Sequence, residues 1–374
     1  MHKKRVVIGI LVPSISGGGA EKASMDLVAH FSKKRFEVHL IIEKDFSHDV
    51  PDVPEHVKVT HLKSSNSVKS IASLFSTIRK EEIDVLYSSL PHLNFLNALM
   101  KILFRKKLKA IVSVHNNLPQ EFHDLKSGPL WKKLTPFTYA RADLIHCVSK
   151  GLAKQTIEAF GAKENKIRVI PNPIDILRIS SLSHLETPTL TASPKKEFCF
   201  IAVGRLEPQK NYPLLIEGVR QLVSLGYGVK LNILGEGSER ASLTRLIFKH
   251  NLENHVFLRG KVSNPYPWIR VSDCLVLTSK YEGFGLVLVE AMALETLVLS
   301  SNCEYGPEEI TNNGEHGVLF SNGNQSSLVK EMLRTLDLNG VELSEFLAMA
   351  KQRAANYEIV EIVKTIEAMF LESV

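Results

Sequence analysis

Two cations and two carboxylates define the chemistry open to this chain. Glu282 and Glu290 stand eight residues apart in the stretch Ser279-Lys-Tyr-Glu-Gly-Phe-Gly-Leu-Val-Leu-Val-Glu-Ala-Met-Ala293. Arg205 and Lys210 share the stretch Gly204-Arg-Leu-Glu-Pro-Gln-Lys-Asn211. Arginine grips phosphate oxygens two at a time, and lysine supplies a compact point charge. A turn punctuated by Gly283 and Gly285 ahead of a helical pattern aims unpaired backbone N–H groups, and the positive end of a helix dipole, at an anion. The carboxylates do not hold that anion, because like charges repel. They suit hydroxyl groups. Hydroxyl acceptors beside a phosphate cradle point to a nucleotide sugar.

Positioning these groups takes strands that end at the turns. Cys274-Leu-Val-Leu277 is an apolar run ahead of the glutamate turn, and residues 198–203 form another ahead of Gly204. Both read as buried parallel strands. The same alternation fills the rest of the chain. Residues 5–12 are a continuous β-branched run, followed by the glycine-rich Ser14-Ile-Ser-Gly-Gly-Gly-Ala20 and a helical pattern over 21–32. Further strands are expected at 36–43, 57–62, 85–88, 110–114, 141–149, 229–234, 256–258, 297–301 and 317–320, and helices at 68–80, 94–104, 212–225, 239–250, 265–271, 326–338, 343–355 and 359–371. His115-Asn-Asn117 stands at the carboxyl end of one strand, the edge where open parallel sheets bind ligands. Residues 118–136, with Trp131, Lys132 and Lys133, read as a polar, irregular connection. Residues 176–197, rich in Ser, Thr and Pro, read as a linker. The expectation is two doubly wound Rossmann-like domains facing across a cleft, residues 1–175 and 198–356.

Composition bounds the class. The 374 residues suffice for two domains, and 44% hydrophobic with 23% charged residues is globular. A net charge of +6 suits an anionic substrate, a membrane surface or nucleic acid without choosing among them. The basic residues do not interleave with aromatics as nucleic-acid stacking platforms require. Cys147, Cys199, Cys274 and Cys303 are far apart and lack metal-ligand spacing, so they read as buried free thiols in a reducing compartment. The amino terminus reads as a first strand rather than a signal peptide, and no apolar run reaches a membrane span, so the expected location is cytoplasmic. Two segments carry charge suited to anionic lipid: Lys101 to Lys109, and Trp131 to Lys133.

Taken together, Gly204-Arg-Leu with Lys210, Gly235-Glu-Gly237, and Glu282-Gly-Phe-Gly285 with Glu290 resemble a retaining glycosyltransferase of family 4, which has the GT-B fold. The resemblance runs from the glycine loop through His115, Val148-Ser149 and Pro171-Asn-Pro-Ile-Asp175 to the glutamate pair. It implies that Arg205 and Lys210, with Gly204 and Asn211 around them, hold the donor diphosphate and steady the leaving nucleotide as its charge grows. Glu290 would take the ribose hydroxyls. Glu282 and the amides of Gly283, Phe284, Gly285 and Leu286 would lie against the transferred sugar and the phosphates. Gly235 would belong to the donor site, and Lys261 and Val262 would contact the base. His115 would sit by the sugar's primary hydroxyl, and Gly18 and Gly19 by the phosphates or the acceptor. The resemblance also implies no metal and no cofactor, with the departing phosphate oxygen helping to deprotonate the acceptor. Residues 357–374 would cross back onto the amino-terminal domain. The stretch Ser301 to Ile310 resembles bacterial relatives that use UDP-hexoses or UDP-N-acetylhexosamines to build surface polysaccharides on saccharide or polyprenyl-linked acceptors.

Other classes fit less well. A dinucleotide-dependent oxidoreductase would carry Gly-x-Gly-x-x-Gly after its first strand, which this chain lacks. A non-catalytic partner subunit of the same fold would not need both glutamates and both cations intact.

Overall fold

The structure, a computed structural model, describes residues 5–14, 18–43, 53–62, 67–185 and 197–374. The chain divides into two compact units: Met1–Pro173 with Ile359–Val374, and Ile174–Glu358. Gly17 and most of the expected linker, residues 186–196, lie outside the described residues.

The first unit runs β1 (Val6–Val12), α1 (Gly19–His30), β2 (Phe36–Ile42), β3 (Lys58–His61), α2 (Ser67–Lys80), β4 (Val85–Ser89), α3 (Pro91–Phe104), β5 (Lys109–Val114), α4 (Leu118–Asp124), α5 (Gly128–Arg141), β6 (Leu144–Cys147), α6 (Lys150–Phe160) and β7 (Ile167–Val169). The second runs α7 (Ile176–Leu182), β8 (Phe198–Val203), α8 (Tyr212–Ser224), β9 (Val229–Leu234), α9 (Arg240–Lys249), β10 (Val256–Gly260), α10 (Tyr266–Val271), β11 (Cys274–Leu277), α11 (Leu286–Ala293), β12 (Leu297–Asn302), α12 (Pro307–Thr311), β13 (Val318–Ser321), α13 (Gln325–Asp337) and α14 (Gly340–Ala355). The last helix, α15 (Ile359–Ser373), belongs to the first unit.

Each unit holds one parallel sheet. The first is ordered β3-β2-β1-β4-β5-β6-β7, and the second β10-β9-β8-β11-β12-β13. Parallel strands covered on both faces need apolar residues on both, and β1 shows this residue by residue. Ile8, Ile10 and Val12 enter a core shared with Leu27, Phe36 and Phe370, while Val7 and Leu11 enter a second core with Leu74, Leu93 and Met100. In both sheets the strand order reverses beside the first strand, between β1 and β4 and between β8 and β11. Loops leaving the carboxyl ends at such a reversal part to opposite faces and leave a crevice for ligands.

α15 is anchored to the first unit by packing and charge. Phe370 stacks on Phe31 with ring centroids 5.5 Å apart. The buried Glu367 accepts the Ser32 N–H at 2.7 Å and pairs with Arg35 at 3.1 Å.

Three expectations need correction. Residues 118–136 are not an irregular connection but α4 and most of α5. Pro119 and Pro129 sit in first helical turns, where a missing N–H costs nothing. Asn117 caps α4 by accepting the Gln120 N–H. The expected linker opens with α7, capped by Asp175 on the Arg178 N–H and tied into the second unit by Asn264, which donates to Leu182 O, and Arg270, which donates to Ser183 O. The units change over at Ile174, and residues 174–175, 357 and 358 fall in the second unit. The strand expected over 141–149 occupies only Leu144–Cys147, because Arg141 still ends α5.

Candidate active site

The loops flanking the second crevice are stitched into one surface. After β8 the chain passes through Gly204 and Arg205 to a single helical turn, Pro208–Lys210, and Asn211 takes a left-handed φ of 53° to start α8. After β11 come Thr278 to Gly285, and Gly285, with φ of 97°, caps α11. Lys280 N–H donates to Gln209 O at 2.8 Å, Gln209 Nε2 to Tyr281 O at 3.0 Å, and Thr278 Oγ1 to Lys210 O at 2.9 Å. At the centre Lys210 Nζ lies 2.5 Å from Glu282 Oε1, and Ser279 Oγ donates to the same oxygen at 2.6 Å.

That ion pair is shielded, with side chains 17% and 10% exposed. Withdrawing both charges from water costs free energy that their attraction only partly returns, so stability alone is a poor reason to keep the pair. It leaves an ammonium with further donors held at the crevice, next to the first turn of α11. The N–H groups of Gly283, Phe284, Gly285 and Leu286 donate to no other described residue. Arg205 is exposed and makes no ion pair among the described residues, so its guanidinium is available to an anion. Its neighbour Glu207 is held below the usual carboxylate range, first by donation from Ser238 and also by the Arg205 charge.

Glu290 sits on the second turn of α11, buried, with the Tyr266 hydroxyl 3.4 Å from its Oε1. Lys261 is exposed and Val262 half-buried just past the end of β10. Gly235 has a different part from a ligand donor. Its N–H is committed to Gly260 O at 2.8 Å, and a Cβ there would stand 1.9 Å from Gly204 O. Only glycine lets the β8 and β9 loops abut. Gly306 is forced in the same way, with φ of 88° and a virtual Cβ 2.0 Å from Phe284 O.

In the first unit His115 follows β5. Its Nε2 donates to Ser113 Oγ at 2.9 Å, and Ser113 Oγ donates onward to Ser88 O, which leaves Nδ1 as an acceptor close to Asn172. Burial, helped by nearby His146, pushes the His115 imidazole down to about 3, so it is neutral at physiological pH. His146 is structural: Nε2 donates to Ile170 O at 2.7 Å and Nδ1 accepts from Tyr87 at 2.8 Å. Gly18 caps α1, but its N–H already donates to Glu21 Oε2 at 3.0 Å, so the amide expected at a phosphate is occupied by the helix's own carboxylate. A Cβ on Gly19 would meet nothing within 4 Å. All four cysteines are buried and free.

Comparison with known proteins settles the family. Residues 17–178 match the profile of Glycosyltransferase Family 4, and residues 187–356 that of Glycosyl transferases group 1. The chain belongs to glycosyltransferase family 4. Among its relatives is the Campylobacter jejuni N-acetylgalactosamine-N,N'-diacetylbacillosaminyl-diphospho-undecaprenol 4-alpha-N-acetylgalactosaminyltransferase, 29% identical over 96% of this chain and 97% of the relative. Another is the amylovoran biosynthesis glycosyltransferase AmsD of Erwinia amylovora, 26% identical over 93% and 95%. Anabaena HepE, solved with UDP and glucose, superposes with a TM-score of 0.81 at 21% identity, covering 99% of this chain and 100% of that one. Sucrose-phosphate synthase from Thermosynechococcus elongatus superposes at 0.83 with 16% identity over 98% and 99%. The two parallel-sheet units of this glycosyltransferase are those of the GT-B fold.

The structure joins Lys210 directly to Glu282, sets Arg205 and Asn211 in the same loop, and places Glu290 on the adjoining helix. His115, Gly18 and Gly19 belong to the other unit. Sequence reasoning missed Ser279, Gln209, Thr278 and Tyr266, which fix this site. Hydroxyl and amide residues after strands are common, and nothing in their spacing shows what they bond. It also missed Glu43 and His92 at the crevice of the first unit.

Proposed function

We propose that this glycosyltransferase moves a hexose or N-acetylhexosamine from UDP to a saccharide or lipid-linked saccharide, with retention and without a metal or cofactor. The observation that carries this is the Lys210–Glu282 pair, held across the crevice of the second unit beside the amides of α11 and the guanidinium of Arg205, which makes no ion pair among the described residues. Fixed cations and N–H groups aimed at a diphosphate stabilise the charge that grows as the nucleotide leaves, which is where a preorganised site lowers a barrier. Glu290 takes the ribose hydroxyls, Glu282 the sugar, Lys261 and Val262 the base, and His115 the sugar's primary hydroxyl. The relatives supply the substrate class: one is named for an undecaprenyl-diphosphate-linked acceptor, and HepE was solved with UDP and glucose. Purified protein should hydrolyse and transfer from a UDP-sugar in EDTA, and NMR of the product should show the donor's anomeric configuration. Wild-type rates in both Lys210→Ala and Glu290→Ala would overturn the site; an inverted product would overturn retention.

A lipid-linked acceptor suggests work at the cytoplasmic face of a membrane. No helix among the described residues is long and apolar enough to cross one. The two basic segments lie at opposite edges of the first sheet. Lys101 donates to Leu108 O and pairs with Asp143 at 2.7 Å, at the edge where β5 and β6 begin. Trp131 instead lies beside His92 at the start of α3, at the carboxyl edge. There Leu125 and Leu130 are exposed among Lys126, Lys132 and Lys133, an apolar and cationic surface suited to anionic lipid. Sedimentation with phosphatidylglycerol vesicles should fall on reversing Lys132 and Lys133 to Glu; unchanged binding removes the contact.

A further inference from the structure

The carboxylate of Glu282 is held at one oxygen and open at the other. Oε1 receives Lys210 Nζ at 2.5 Å and Ser279 Oγ at 2.6 Å. Two short donors on one oxygen, one of them charged, leave the carboxylate plane little freedom. Oε2 accepts from no other described residue. Lys210 alone neutralises Glu282. The Ser279 hydroxyl therefore adds direction rather than charge.

Ser279 is fixed in turn from β12. It follows β11 by two residues and is fully buried. Ser301 Oγ, equally buried, donates to Ser279 O at 2.7 Å, and Ser300 Oγ donates to Ser301 O at 3.1 Å. The chain beyond Ser301 runs on beneath the same turn. Tyr281 bridges Glu304 in parallel register, and the Glu282 N–H points at Glu304 O at 3.4 Å. Gly306 lies against Phe284 so closely that no Cβ fits. Cys303 of the same stretch is buried, and burial together with the Glu282 charge pushes its thiol up to about 12, so it sets no second anion beside the carboxylate.

We propose that Ser279 is a positioning residue: by sharing Oε1 with Lys210 it turns Oε2 of Glu282 toward one hydroxyl of the donor sugar, and the Ser301–Ser279–Glu282 chain thereby sets which sugar is accepted. This rests on the glycosyltransferase reading and adds what aims Glu282 at the sugar. A hydroxyl in the matching place donates to Oε2. A sugar without it leaves an oxygen of this residue, only 8% exposed, without a partner, and mismatches of that kind separate close analogues. A carboxylate free to rotate finds an acceptor geometry for more than one sugar, so selectivity weakens.

The test compares the protein's preferred UDP-sugar with analogues of it that each lack one hydroxyl, reading kcat and KM, and UDP affinity by calorimetry. In the wild type one missing hydroxyl should lower kcat/KM about a hundredfold. Ser279→Ala should raise the KM of the intact donor about tenfold and shrink that one penalty about tenfold, while UDP affinity stays within about twofold. Ser279→Cys keeps the volume but offers only a weak donor, and should behave like Ser279→Ala. Ser279→Thr keeps the hydroxyl and should restore the wild-type pattern. Ser301→Ala, acting through the Ser279 backbone, should shrink the same penalty by about threefold. Penalties unchanged in Ser279→Ala overturn the proposal. So does recovery in Ser279→Cys, which would make packing the cause, or an equal loss of UDP and UDP-sugar affinity, which would make the turn merely structural. A wild-type protein that binds UDP yet turns over no UDP-sugar would instead sink the donor reading, and this assignment with it.

Discussion

The two units share a strand order and a device, yet differ in what the device offers. In each, one acid–base side-chain pair bridges the crevice where the strand order reverses: Lys210–Glu282 between the β8 and β11 loops, and His92–Glu43 between the β4 and β2 loops. In the second unit the cation is an ammonium, and among the described residues the neighbouring helix amides have no acceptor and the Arg205 guanidinium in the same loop no ion pair. In the first, the base is an imidazole, the helix amide at Gly18 is filled by Glu21, and an indole lies alongside. One crevice presents cations and N–H groups, the other a carboxylate, an imidazole and an indole. A shared fold thus sets where ligands go, and the side chains at the reversal set which ligand goes there.

The sharpest way to break this comparison is to remove the cation from the second crevice. Lys210→Ala should lower the rate of sugar release from the donor about a thousandfold, read by UDP formation under saturating donor. A loss under tenfold would mean that Arg205 and the α11 amides suffice, and that Lys210 mainly orders Glu282.

Next in size is the backbone that lets the donor loops meet. Gly235→Ala places a Cβ against Gly204 O at 1.9 Å, and should destabilise the second unit by about 3 kcal/mol or more. Calorimetry should show a lower transition for that unit with the first unit's transition unmoved. A single, jointly shifted transition would show that the units unfold together.

A smaller loss is expected at the anchor of α15. Glu367→Ala leaves the Ser32 N–H and Arg35 without their partner and should cost the first unit about 2 kcal/mol, read as its denaturant midpoint. An unshifted midpoint would show that Phe370 packing alone holds the helix.

The last test reads a slope, the pH dependence of stability. Burial pushes the His146 imidazole from 6.5 down to about 4. The unfolded chain therefore takes up the proton first as pH falls. The contribution of neutral His146, up to about 3 kcal/mol, is complete above pH 6.5 and is lost as pH falls from there through about 4. His146→Gln should reduce the slope of first-unit stability against pH in that window, leaving the part that His115 contributes, and an unchanged slope would reassign it to His115 or to carboxylates.

Much of the strand pattern was legible because parallel strands buried on both faces must be apolar at every position, and few other structures require that. Helices α4 and α5 were hidden because residues 118–136 are polar and lack a clear apolar period, although Pro119 and Pro129 stand in first turns, with Pro136 inside α5. Glu282, Glu290, Arg205 and Lys210 were visible through their spacing from glycine turns. Glu43 and His92 carried no such mark: a glutamate after one strand and a histidine after another look like ordinary polar ends.

By itself, the sequence determined the two βα arrays, the turns that end their strands, and the charges in the loop after β8. Those follow from local causes: apolar runs, glycine, and the types of side chain a phosphate requires. Only the tertiary structure decided that Lys210 pairs with Glu282, that Glu21 fills the Gly18 amide, and that Glu43 meets His92 across the end of β1. Each of the cross-strand pairs joins residues from loops that the strand order, not the chain order, brings within reach, and hydrogen bonding at that sequence distance leaves no periodic trace along the chain.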